Sequence, residues 1–182
     1  MKLGHHETDL DSLDLHILAL LQENCKQPLV KIGERVGLSA PSVIERIKKL
    51  EENGVIRGYT AVLDARKLGK DITAFIGVSI NHPKLISHFE KEIDRVEDVQ
   101  ECHHVTGEHT LLLKVKADDT SALEELIRKI RSIEGVARTE TSVVLSTHTE
   151  GLWVALNQKT TVADNRQRHE ETVVPLKHKR GG

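Results

Sequence analysis

The stretch GLSAPSVIERIKKLEENGVIRGY, residues 37–59, decides how the N-terminal part of the chain is read. Gly37 stands where a helix end favours a left-handed residue. Ser39 is placed to cap the next helix, and Pro41 falls in its first turn, where a missing N–H costs nothing. Val43, Ile47 and Leu50 then recur at helical spacing as one apolar stripe, flanked by Ile44. The triplet ENG, residues 52–54, ends the helix. Ala40, Pro41, Ser42, Glu45, Arg46 and Lys49 are left on the outer side or its margins.

Upstream, Leu13, Ile17, Leu20 and Leu21 repeat at helical spacing behind Asp11, a capping residue. NCKQP, residues 24–28, breaks that helix, and Leu29, Ile32 and Val36 mark a second one. Two helices, the short turn VGLS (36–39) and a third helix make the plan of a helix-turn-helix. VIRGYTAVLD, residues 55–64, is expected as a strand, which would make the domain winged. Small residues opening the third helix let it enter a major groove. Arg46 suits a guanine or a phosphate, and Lys48, Lys49 and Arg57 suit phosphates. Glu45 suits a cytosine amino group, or confines the helix to one register. The expected DNA contacts are therefore Ser39, Ala40, Pro41, Ser42, Glu45, Arg46, Lys48, Lys49 and Arg57.

Charge does not announce this partner. The net charge is −2, and residues 10–64 hold seven Lys and Arg against eight Asp and Glu. Binding needs a basic face rather than a basic total. Residues 151–182 are net positive, with six basic against three acidic residues.

After a polar linker at 65–71 the pattern changes to strand 72–80, helix 84–96, strands 99–107 and 109–117, helix 120–133 and strand 136–147. That order is βαββαβ, a ferredoxin-like domain, so the fold class expected is α+β. Leu85, Ile86, Phe89 and Ile93 stripe one helix, and Leu123, Leu126, Ile127 and Ile130 the other. Both can cover one sheet face. The opposite face is not uniformly polar, which implies self-association. The domains expected are 10–64, 72–147 and an extension at 148–182, partly disordered beyond a short apolar piece around Trp153.

Two blocks, LDSLDLHILALLQEN with VGLSAPSVIERIKKLEENGVIRGYTAVLD, and HVTGEHTLLLKVKADD with KIRSIEGVARTETSVVLS, resemble the Lrp/AsnC (feast/famine) family of transcriptional regulators across roughly residues 10–147. The resemblance implies a DNA-binding domain followed by a domain that senses a small effector, commonly an amino acid. It also implies sheet-to-sheet homodimers, often assembled into octamers. The effector would lie between subunits at the loop Thr106, Gly107, Glu108, His109 and Thr110, with Thr139 and Thr141 facing the same cleft. Gly107 permits close approach, and free N–H groups at a tight turn hold a carboxylate. Thr110 departs from the family pattern, which often has an acidic residue there suited to a ligand's ammonium. A different metabolite, or no effector, therefore stays open.

Other chemistries find less support in the sequence. Eleven histidines include the run Cys102-His103-His104, but on a strand Cys102 and His104 share one face and His103 takes the other, so no metal site closes. No paired carboxylates, nucleophile motif or phosphate-binding loop appears, so no catalytic residue and no cofactor is expected. A DNA-compacting architectural protein without effector, and a decarboxylase-like enzyme on the same two-domain plan, are the alternatives. The two cysteines read as free thiols, and no signal peptide or membrane span is legible, so a cytoplasmic location is expected.

Overall fold

The computed structural model describes residues 9–156, so the expected disorder of the basic tail lies outside the described residues. These divide into two compact units. One takes residues 9–59 with 152–156, the other residues 60–151.

The first unit is three helices, α1 (Ser12–Glu23), α2 (Leu29–Val36) and α3 (Ala40–Glu52). Asp11 caps α1 in a reciprocal box, its carboxylate accepting from the Asp14 amide at 2.8 Å while Asp14 accepts from the Asp11 amide. Ser39 caps α3 by accepting from the Ser42 amide. Ile17, Leu20, Ile32, Val36, Val43 and Ile47 form a shared core. Burying a side chain of this size contributes roughly 1.5–3 kcal/mol, enough to set which face of α3 turns inward.

The turn from α2 to α3 rests on two glycines. Gly37 closes α2 at φ 72°, a left-handed position. Gly33 lies a turn earlier, where its missing Cβ would sit 2.4 Å from the Leu38 carbonyl oxygen. The Leu38 amide bonds back to the Gly33 carbonyl at 2.9 Å, so the two backbones touch directly.

The expected strand at 55–64 does not form. The amides of Val55 and Ile56 turn back to the Leu50 carbonyl, and Ile56 packs on the helical core. Among the described residues none pairs with 57–64 as a strand, and a lone strand has no independent stability. Val62 and Leu63 are consequently exposed. The helix-turn-helix is present, and the wing is not. Around Trp153 neither strand nor helix forms, but Val154 is held in the first unit. Its amide donates to Gln22 Oε1 at 2.8 Å, and its carbonyl accepts from Gln22 Nε2 at 3.1 Å.

The second unit carries β1 (Ile72–Ile80), α4 (Ile86–Ile93), β2 (Val99–His104), β3 (Leu111–Ala117), α5 (Thr120–Arg131) and β4 (Val136–Val143). The strands form one antiparallel sheet in the order β2-β3-β1-β4. Alternate residues Ala74, Ile76, Val78, Leu111, Leu113 and Val115 are buried against Phe89, Ile93, Leu123, Leu126 and Ile130 of the two helices. This is the expected α+β plan. Strand β2 stops at His104, short of its expected end. The Val105 amide bonds the Thr110 carbonyl at 3.2 Å, and Gly107 at φ 122° turns the chain.

The other sheet face is less apolar than expected. The register places Thr73, Phe75 and Gly77 of β1 on it with Leu112, Lys114 and Lys116 of β3. Glu101 and His103 of β2 join them, as do Glu140 and Ser142 of β4. Lys114 pairs with Glu101 at 3.1 Å and with Glu150, which also reaches Lys116 at 3.7 Å. The carboxylate of Glu150 holds the Lys114 ammonium above its ordinary pKa, and the lysine holds Glu150 below its own. Among the described residues no helix is long and apolar enough to cross a membrane.

Candidate nucleic-acid and effector sites

Helix α3 turns Val43, Ile47 and Leu50 into the core, each 9% exposed or less. A helix that buries this stripe presents the residues roughly half a turn away. Pro41, Glu45, Lys48 and Lys49 are exposed on that outer side, with Ser39 just before the helix. Ala40 and Ser42 are half-buried at its start, and Arg57 is exposed beyond its end. Lys48 makes only a loose contact with Glu52, at 3.6 Å, between two exposed side chains. Such a pair is weak and leaves the ammonium available.

Arg46 departs from expectation. Instead of standing free, its Nη1 lies 2.7 Å from both Asp11 Oδ2 and Asp14 Oδ1 at the start of α1. Arg46 precedes Ile47 and so sits on the margin of the buried stripe. There its guanidinium reaches the two carboxylates of the capping box and braces α3 to α1. Partial desolvation by itself would raise the pKa of Asp11. The Asp14 amide and the Arg46 guanidinium outweigh it and hold the carboxyl below its ordinary value.

A lowered folded pKa means that this contribution is present at neutral pH and is lost as pH falls through the folded value. Arg46→Ala is therefore expected to destabilise the chain by about 1–2 kcal/mol at pH 7. The difference from wild type should shrink in acid. Urea unfolding midpoints of both proteins across that range check this, and a difference that does not change with pH contradicts it.

Two residues here escape the sequence pattern. Ile44 is 50% exposed on α3, an apolar side chain of the kind that packs on a thymine methyl. Its only signal is that it falls off the buried stripe. Tyr59 donates its hydroxyl to Glu51 at 2.8 Å; partial burial, then that carboxylate, push its pKa up to about 12.

In the second unit the loop between β2 and β3 brings its residues together unevenly. Thr106, Gly107 and Glu108 are exposed. Thr110 is committed to the sheet. Its amide donates to the Val78 carbonyl at 2.9 Å, and its hydroxyl accepts from the Ile80 amide at 3.1 Å. It anchors the loop to β1. His109 folds its ring over Gly77, where a Cβ would lie 2.3 Å from the imidazole. The ring reaches across β1 to bring Nε2 within 3.8 Å of Glu140 on β4.

The register corrects the expectation for Thr139 and Thr141. They pair with Val78 and Ile76, two residues of the helix-covered face. Directly opposed residues of an antiparallel pair point the same way, so these threonines turn from the loop. Glu140, opposite Gly77, faces it instead. Strand alternation signals that one of the two sets faces the loop, but a slip of one residue exchanges them. Arg138 joins the cluster, with Nη1 3.4 Å from Glu108 and Nη2 3.0 Å from Glu140. Charged groups thus ring an open surface. Two concave depressions of this unit lie on its helical side, one of them lined by His88, Glu92 and Lys129.

Comparison with known proteins gives a family for each region of the chain. A family described as the AsnC-type helix-turn-helix domain matches residues 10–51, and one described as the Lrp/AsnC ligand binding domain matches residues 73–154. The leucine-responsive regulatory protein of Escherichia coli (strain K12) is 36% identical over 140 residues, 75% of this chain and 85% of that protein. A transcriptional regulator of Neisseria meningitidis, solved in complex with L-methionine, superposes at a TM-score of 0.77 with 32% identity. That match covers 81% of this chain and 97% of the regulator. A feast or famine regulatory protein of M. tuberculosis, complexed with L-methionine, superposes at 0.75 with 28% identity, over 80% and 98%.

Proposed function

Because this chain belongs to the Lrp/AsnC family of transcriptional regulators, we propose that it binds duplex DNA sequence-specifically through α3, under the control of a small metabolite held between subunits. The observation that carries the DNA half is the orientation of α3. Its apolar stripe is buried, while Ser39, Pro41, Glu45, Lys48 and Lys49 remain open at and beyond its start. Ala40 and Ser42 keep the entrance narrow enough for a major groove, and Arg57 adds a phosphate contact past the helix end. Arg46 acts here by fixing α3 on α1.

The working unit is a homodimer or a higher homo-oligomer such as an octamer. Two copies would set two α3 helices into successive major grooves, one helical turn or a multiple apart on a palindromic site. The effector would lie at the loop of Thr106, Gly107, Glu108, His109 and Thr110. Its openness in one chain supports a site completed by a second copy. An amino acid is the first class to test, since two of the solved relatives above were crystallised with L-methionine. Effector binding would shift DNA affinity by a coupling of about 1–3 kcal/mol.

A gel shift on the DNA upstream of the protein's own coding sequence tests the DNA half. A discrete complex that survives excess nonspecific competitor is expected. Binding no better than to a scrambled duplex would overturn sequence specificity and leave an architectural role.

A further inference from the structure

Glu108 and His109 are neighbours on the β2–β3 loop and Glu140 lies on β4, yet one donor atom from each of the three lies within 4.8 Å of the other two. Three features make this more than a surface accident. Gly77 leaves a groove across β1 that holds the imidazole, and any side chain there would strike the ring. The ring is largely buried, and its Nε2 lies 3.8 Å from a Glu140 carboxylate oxygen. Finally, a cation already occupies the place: Arg138 spans Glu108 and Glu140 with one guanidinium against two carboxylates, on a side chain 61% exposed.

We propose that Glu108, His109 and Glu140 bind a divalent transition-metal cation, with Arg138 as the internal cation that the metal displaces. One imidazole and two carboxylates are the donor set of zinc, cobalt or manganese, whereas calcium and magnesium take oxygen ligands and have no use for the histidine. Metal–ligand bonds of about 2.0–2.2 Å require the three donors to close by roughly an ångström. Glu108 and Glu140 are exposed and free to rotate inward, while the ring is held. Three protein ligands leave a coordination position open to water or to a carboxylate. The proposal deepens the effector reading of this loop, and its regulatory half rests on that reading: the cation, alone or with a carboxylate ligand, is the signal.

Cobalt titration of the full chain, stripped with chelator, reads the site without DNA. One saturable cobalt per chain with a visible d–d band is expected. His109→Ala and Glu140→Gln should each weaken it at least roughly tenfold. Glu108→Gln, on the exposed loop, tests the site where folding is not at risk. Arg138→Ala should tighten binding, since it removes the competitor. No saturable binding at millimolar cobalt, or affinity unchanged in all three ligand variants, overturns the site. Gel shifts with cobalt and with chelator then read the regulatory half separately. A metal-dependent change in DNA affinity supports it. An unchanged affinity in a cobalt-loaded protein overturns it while the site stands, and DNA binding by a chain that takes no cobalt leaves the regulator reading intact.

Discussion

Gly33→Ala is expected to destabilise the helix-turn-helix unit by about 1–2 kcal/mol, although helix propensity argues the other way. Alanine in a helix interior is favoured over glycine by about 1 kcal/mol. Here the new Cβ would stand 2.4 Å from the Leu38 carbonyl oxygen and 3.5 Å from its carbon. Those are backbone atoms with nowhere to retreat. The Leu38 amide is bonded to Gly33, Gly37 already holds a left-handed φ, and Leu38 packs on the core. Overpacking of this kind costs about 1–3 kcal/mol, occasionally more, which outweighs the propensity gain. The strain is relieved by opening the α2–α3 turn, so DNA affinity should fall by roughly tenfold or more in conditions where the variant is still folded. Urea unfolding and fluorescence anisotropy on the same preparation check both halves. A variant as stable as wild type would show that the turn is looser than its geometry implies.

The second large effect belongs to the lysines of α3. Each phosphate contact contributes about 0.9 to the slope of log affinity against log salt. If Lys48 and Lys49 both touch phosphates, a dimer makes four such contacts through them, and the Lys48→Ala/Lys49→Ala protein should lose about 3.6 from that slope. At 0.1 M salt this is a loss of roughly four thousandfold, falling toward parity near 1 M. The loss should be the same on specific and scrambled duplexes, because phosphates carry no sequence. Both side chains are exposed and unneeded by the core, so the variant's unfolding midpoint should barely move. An unchanged salt slope would remove this pair from the interface.

How much of this was legible in the sequence depended on the range of the interaction concerned. The stripe of Val43, Ile47 and Leu50 and the caps at Asp11 and Ser39 are local, repeated every turn or set by three residues, and they stand where the spacing predicts. The βαββαβ order is legible for the same reason. The wing fails because a strand is a pairing, and nothing in VIRGYTAVLD says whether a partner exists. The brace of Arg46 to α1 is not legible in the sequence, because its carboxylate partners lie a full helix away. Thr139 and Thr141 are misjudged because alternation has two phases, and only the register with β1 selects Glu140. Gly33 is invisible to periodicity, since its importance is an absent atom beside another segment's carbonyl.

Everything proposed for DNA depends on the outer surface of α3 facing the duplex. The most direct measurement is photocross-linking from a benzophenone amino acid placed at Glu45, with the same group at Glu124 on α5 as the control, on the protein's own upstream DNA. The account predicts cross-links from position 45 to bases of the binding site, lost on a scrambled duplex, and few from position 124. Equal yields from both positions, or cross-links only from 124, would contradict it.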